Sequence, residues 1–335
     1  MIYIISSVIF FIIIFTLSKY SKNFHLIDFP NKRKIHSKPT SIAGGLSIFL
    51  TIFTITAFLS LSLDVMVIIY SCSLVLIVGL YDDIFDLNPK KRLVYQIVIS
   101  ILIYIYGIRI VNLDGLLNFQ NFHGVISFSI LFFLTIFSIL CLINSFNFID
   151  GLDGLCISNA IISFITIIIL ININSKSVDN YLYLFLFILI LFIFFNFGIL
   201  NIKTFLGDSG STSLGFLIAL LLIFYSMPDQ KLLFAAQVIW CSTLPMFDFG
   251  RIITTRFFLN KKISIPDKNH VHHIFINIGL TKFQTLFLLI TISIVLNAIG
   301  LIVYFNFGDY WSLFTYITLF FIYFFIINSF NSKIL

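Results

Sequence analysis

Glutamate is missing altogether: all 14 acidic residues are aspartate. Charge of either sign is scarce, at 10% of 335 residues, where a soluble domain carries about 25%. No polar stretch is long enough to bury a core of its own, so a water-soluble fold is excluded. Cysteine is limited to Cys72, Cys141, Cys156 and Cys241, with no C-x-x-C pair. That speaks against a disulfide framework and against a thiolate metal site. The first 20 residues lack a basic n-region and a small-residue cleavage site, and Lys19 and Lys22 follow the apolar run. They are expected to form a first membrane span rather than a cleaved leader.

What remains is 60% hydrophobic, with 43 Phe. A span needs about 20 mostly apolar residues. Eleven runs qualify, at roughly 1–20, 42–63, 65–81, 93–108, 125–143, 155–173, 181–200, 213–228, 232–250, 283–303 and 312–328. The fold class expected is all-α: a polytopic transmembrane bundle of about 10–11 spans in a single domain, 1–335. Eleven spans define two sets of loops. One set, 19–41, 82–92, 144–154, 201–212, 251–282 and the tail, carries 17 of the 20 Lys and Arg. The positive-inside rule puts that set in the cytoplasm and the N-terminus outside. The same set holds five of the six His, and nine of the 14 Asp when Asp248 at the end of the ninth run is included. Chemistry is therefore expected on the cytoplasmic face, from loops 21–41, 82–92, 144–154, 201–212 and 251–282.

Five polar motifs occupy these loops. The first runs from Asp28 to Gly45 and contains Arg33, Lys34, His36 and Gly44-Gly45. Its charges suit anionic lipid head groups or a phosphate ligand. The second is Asp82-Asp83, with Asp86 close by and basic residues at 90–92. Helical neighbours point about 100° apart, so the two carboxylates suit separate tasks better than a shared proton. The third, Asn144-Ser-Phe-Asn147-Phe-Ile-Asp150-Gly-Leu-Asp153-Gly154, has no basic residue. Uncompensated juxtamembrane carboxylates are costly and usually functional, although a helix cap with a turn also accounts for them. Oxygen-only ligands favour Mg²⁺, Mn²⁺ or Ca²⁺ over Zn²⁺. The fourth, Phe205-Leu-Gly-Asp208-Ser-Gly-Ser-Thr-Ser, reads as a helix cap or as an anion site at a helix N-terminus. The fifth, in 251–275, holds Arg251, Arg256, Asp267, His270, His272 and His273. Zinc is disfavoured there by the many cations and the lack of cysteine. Donation to a pyrophosphate fits better.

In this order the motifs resemble those of the polyprenyl-phosphate N-acetylhexosamine-1-phosphate transferases, glycosyltransferase family 4, the superfamily of the muramoyl-pentapeptide phosphotransferase. The likeness runs from about residue 28 to 273. Asp267-Lys-Asn-His270-Val-His272-His273 resembles the amino-sugar branch, and Ser41 stands where the family commonly has proline. The resemblance implies a reaction in which undecaprenyl phosphate attacks a UDP-N-acetylhexosamine, by default the N-acetylglucosamine compound. UMP leaves, and a lipid-linked sugar diphosphate starts a cell-surface glycan such as O antigen. It implies catalytic roles for Asp82, Asp83 and Asp208, with Mg²⁺ (or Mn²⁺) on Asn147 and Asp208. It implies substrate contacts from Arg33, Lys34, His36, Asp150, Asp153, Phe205, Arg256, His270, His272 and His273, with Phe205 and Asp153 at the uracil. It further implies a multi-pass protein of the bacterial cytoplasmic membrane with lipid and UDP-sugar partners, no nucleic acid, and room for a homodimer. A secondary transporter also uses intramembrane Asp, but near the bilayer midplane between repeats. A CDP-alcohol phosphotransferase is disfavoured because no Arg follows Asp150-Gly151 until Arg251.

Overall fold

A computed structural model describes residues 1–30, 38–113, 124–174, 177–260 and 269–332. Lipid offers backbone N–H and C=O groups no partner, so apolar runs must satisfy them internally as helices. The helices are α1 (Ile2–Lys19), α2 (Gly44–Thr56), α3 (Leu63–Phe85), α4 (Pro89–Tyr106), α5 (Gly124–Ile149), α6 (Leu155–Asn174), α7 (Asn180–Asn196), α8 (Gly207–Ser226), α9 (Ala235–Val238), α10 (Thr243–Phe258), α11 (Val271–Asn277), α12 (Lys282–Phe307) and α13 (Asp309–Ser332). Among the described residues, seven helices are long and apolar enough to cross a membrane, and α2 and α7 are shorter apolar helices. The chain is a multi-pass helical membrane protein.

At the centre stands α8, buried along nearly its whole length. It packs against α3, α5 and α2. With no hydrophobic drive between helices in lipid, such contacts depend on small residues that let backbones approach. The closest approach is at Gly45 of α2, where an added Cβ would lie 2.2 Å from the Gly210 Cα of α8. Gly45→Ala should therefore cost about 1–3 kcal/mol through overpacking against backbone that cannot yield. A lower thermal midpoint of the purified protein in detergent is the expected result, and an unchanged midpoint would contradict it.

The two ends of the bundle differ. At one end the Asp64 carboxylate accepts from the Tyr106 hydroxyl at 2.9 Å, and Asp179 accepts from Tyr225 at 2.8 Å. The other end gathers the C-termini of α3, α5, α7 and α10 with the N-termini of α2, α4 and α8.

Several boundaries differ from the sequence reading. The ninth run is not one helix, since residues 239–242 interrupt it between α9 and α10. Trp240 is fully buried at this break and donates from Nε1 to Ser312 Oγ of α13 at 2.8 Å. Arg251 and Arg256, expected in a loop, lie on α10, and His272 and His273 lie on α11. Asn144 and Asn147 belong to the last turns of α5, so only 150–154 forms the turn. The Gly-Asp-Ser-Gly motif is the first turn of α8, six residues before the expected start of that span. Polar residues extend these helices because other protein groups, not lipid, surround them.

Candidate active site

Asp82 and Asp83 sit in the last turn of α3, and their side chains diverge as neighbours on a helix must. Asp82 Oδ1 accepts from the Leu87 N–H at 2.8 Å, and Oδ2 pairs with Arg92 Nη1 at 2.7 Å. Asp83 turns the other way. Its two oxygens accept from the N–H groups of Asp208 at 2.8 Å and Ser209 at 3.1 Å. These are among the donors that the first turn of any helix leaves unpaired. Asp83 thus caps α8 from another helix and fixes the backbone that carries Asp208.

Asp208 is the meeting point. Its Oδ1 accepts from Asn147 Nδ2 at 2.7 Å, and its Oδ2 lies 3.4 Å from Arg92 Nη1. Asn147 Nδ2 also reaches Ser211 Oγ at 3.2 Å. The Asp208 side chain is 42% exposed and that of Asp82 only 4%, so Asp208 is the carboxylate open to an incoming ligand. Asp150, in the turn after α5, has its pKa pushed well above the usual carboxylate range by desolvation and then by Asp208, Asp83 and Asp153. The acidic charge around Asp208 exceeds what Arg92 neutralises, which favours a further cation. Among the described residues no three His, Cys, Asp or Glu side chains group to hold an ion. The available donors are the Asp208 carboxylate and the Asn147 side-chain oxygen; Asn147 presents Nδ2 to Asp208 here, and a cation would require the amide turned so that Oδ1 faces it. This is an oxygen set with few protein ligands, and it fits Mg²⁺, which usually keeps waters and takes substrate phosphates as ligands.

Beside this cluster lies a second polar group. Lys203 pairs with Asp153, and its ammonium sits 5.1 Å from the centroid of the Phe205 ring. Phe205 is held by its backbone: its N–H donates to the Ser41 carbonyl at 2.7 Å, and its carbonyl accepts from Gly44 N–H at 3.0 Å. A short antiparallel ribbon, Ile27–Asp28 with Thr40–Ser41, meets this segment through a bridge between Ser41 and Thr204. Arg33, Lys34 and His36 themselves lie outside the described residues, as do Asp267 and Lys268. Arg256 is buried, with its guanidinium 5.9 Å from the Phe148 ring centroid. The three histidines form a stack, with ring centroids 5.7 Å apart for His270 and His272 and 4.4 Å apart for His272 and His273. His272 is fully packed against Gly151, where an added Cβ would meet its Nε2 at 2.1 Å. Burial and the neighbouring imidazoles push the His272 pKa well below the usual histidine range. It is a neutral ring, and neither nitrogen has a hydrogen-bond partner among the described residues.

The structure thus brings Asp82, Asp83, Asn147 and Asp208 into one cluster, Asp153 and Phe205 into a second, and the histidines against the Asp150-Gly151 turn. Sequence reading missed Arg92 as a site residue. A signal was present: Asn88-Pro89 opens a helix, and Lys90, Lys91 and Arg92 put cations at the N-terminal end of its dipole, where they are unfavourable. Such a placement calls for an anionic partner.

Comparison with known proteins gives the chain relatives. The glycosyl transferase family 4 profile matches residues 65–226, which carry Asp82, Asp83, Arg92, Asn147 and Asp208. Likeness to characterised proteins reaches further along the chain. The undecaprenyl-phosphate alpha-N-acetylglucosaminyl 1-phosphate transferase of Escherichia coli K12 is 27% identical over 293 residues, 86% of this chain and 79% of that one. The protein of the same name from Haemophilus influenzae is 29% identical over 307 residues, 89% and 85% of the two chains. That from Yersinia pestis is 26% identical over 299 residues, 86% and 80%. The chain is similar to glycosyl transferase family 4. Its Asp82, Asp83 and Asp208 carboxylates stand at helix ends on one side of the bundle. A secondary transporter, whose site would sit at mid-depth between repeats, finds no support.

Proposed function

We propose that this protein transfers an N-acetylhexosamine 1-phosphate from a UDP-sugar to undecaprenyl phosphate, releasing UMP. The default donor is UDP-N-acetylglucosamine, and the product initiates a lipid-linked cell-surface glycan. The active face is cytoplasmic, following the excess of Lys and Arg on that side. What supports this reading is one observation: Asp82, Arg92, Asn147 and Asp208 meet where the bundle ends. A soluble nucleotide sugar and a lipid phosphate can meet only at such a boundary.

Asn147 and Asp208 would hold Mg²⁺. When bound, the ion neutralises the pyrophosphate and offsets charge that develops as the P–O bond to UMP breaks. Asp83 works through Asp208 by holding its backbone. Arg92 takes the acceptor phosphate, for which its forked donors are suited. Asp82 orients Arg92 and accepts the acceptor's proton when the phosphate arrives singly charged. Phe205 and Asp153 bind the uracil, with Lys203 between them as the group that must share or yield its place. Arg256, His270 and His273 donate to phosphate or sugar, while buried His272 packs against Gly151; Arg33, Lys34 and His36 would add further donors. The isoprenoid tail has a path along an apolar groove of about 710 Å³ between α4 and α5, lined by Ile97, Ile101, Phe133, Phe137 and Leu140. The same two helices are joined by the bond from Asn144 Nδ2 to Gln96 Oε1 at 3.0 Å, one turn from Arg92.

Purified protein offered a panel of UDP-sugars should release UMP with at least one UDP-N-acetylhexosamine. Release should require both undecaprenyl phosphate and Mg²⁺ or Mn²⁺. Silence with every donor, lipid and metal present, would overturn the proposal.

A further inference from the structure

A buried polar group stands apart from the Asp208 cluster and has no task in the proposed chemistry. Asp248 and Arg251 lie one turn apart on α10, and both are buried. Asp248 Oδ1 accepts from Arg251 Nε at 3.1 Å and from Nη2 at 2.8 Å. Ion pairs this deep rarely stabilise a fold outright, because desolvation consumes the Coulombic gain. Their remaining hydrogen-bonding capacity shows what they hold. Asp248 Oδ2 accepts from the Val271 N–H at 3.4 Å and lies 3.7 Å from His270 Nδ1. Arg251 Nη2 also donates to the Asn269 carbonyl. Every one of these contacts falls on residues 269–271, the entry to α11. Helix α13 completes the arrangement: Arg251 Nη1 donates to Asn328 Oδ1 at 3.2 Å, and the Tyr323 hydroxyl donates to Asp248 Oδ1 at 3.4 Å.

Helix α11 has only seven residues, too few to be stable by itself. Yet it carries His272, whose ring fits against Gly151 with no space to spare. A small slip of the entry residues would displace that ring from the Asp150-Gly151 turn.

We propose that Asp248 and Arg251 are positioning residues, a clamp that sets the histidine segment over the Asp150-Gly151 turn and that α13 locks through Tyr323 and Asn328. Its effect on donor binding rests on the reaction proposed above; the clamp itself does not.

The test uses the full chain in detergent or nanodiscs. The double variant Asp248→Asn with Arg251→Met leaves no buried charge unpaired. Amide exchange across 269–277 should rise at least about tenfold while α8 keeps its protection. The KM for UDP-sugar should rise by about tenfold, with the KM for undecaprenyl phosphate unchanged. Asn328→Ala removes one partner of Arg251 at the edge of the cluster and should shift both readings in the same direction, by about threefold. If the double variant fails to fold, Asn328→Ala decides alone. Wild-type exchange across 269–277 would overturn the clamp. Raised exchange with an unchanged KM for UDP-sugar would overturn its part in donor positioning. Lack of UMP release from the unmodified chain would overturn the reaction instead, and the exchange measurement would still judge the clamp.

Discussion

Asp208→Ala is expected to lower kcat/KM for UMP release by about 10³-fold or more, the scale on which preorganised electrostatic groups act. The position concentrates three functions. Asp208 offers the exposed carboxylate, it receives the Asn147 amide at 2.7 Å, and it shares Arg92 with Asp82. Alanine removes the anionic ligand from the oxygen set that fits Mg²⁺ and leaves Asn147 with only Ser211 as a side-chain partner. The fold should survive, because the backbone at 208 and 209 remains capped by Asp83 and the lost carboxylate is the exposed member of the cluster. Kinetics and a thermal midpoint measured on one preparation check both halves. Substantial Mg²⁺-dependent turnover in a folded variant would remove Asp208 from the proposed metal site.

Asp82→Asn should lower kcat by about 10²–10⁴-fold, the range of a positioned proton acceptor, while UDP-sugar binding persists. The nearly isosteric amide can still accept from the Leu87 N–H. What it loses is the charge that holds Arg92 at 2.7 Å. Arg92 is then left with Asp208, already within 3.4 Å, and the acceptor phosphate meets a guanidinium turned toward the donor side. The defect should therefore appear with the lipid substrate. Arg92→Lys is the companion variant: it keeps the charge but loses the fork, so a smaller loss of the same kind is expected. Calorimetric binding of UDP-sugar separates the roles. If binding disappears in Asp82→Asn, Asp82 belongs with the metal or nucleotide instead of the acceptor.

Much of this was legible before any coordinates. The apolar runs could only be helices, and the last of them, 312–328, is a helix of 24 residues, α13. The expectation that Asp82 and Asp83 would diverge follows from helix geometry alone, and they do, one toward Arg92 and one toward α8. The division of labour between them was not legible. Nothing local to Asp83 says that its oxygens cap a helix that begins 124 positions later. Arg92 looked like one of three surface cations, although their place at a helix N-terminus argued otherwise. Asp248 and Arg251 read as the end of a span and the start of a loop. Only the continuation of α10 and the return of α13 make them a buried pair.

By itself the sequence determined that the chain is a multi-pass helical membrane protein and which polar motifs lie between its apolar runs. That follows from a rule that acts over a few residues: lipid tolerates no unpaired backbone. Tertiary structure decided which of those side chains touch. Arg92 and Asp208 are 116 positions apart, and no periodicity spans that interval. They meet because α3, α4, α5 and α8 pack closely enough, through small residues such as Gly79 of α3 and Gly215 of α8, to bring four helix ends to one point.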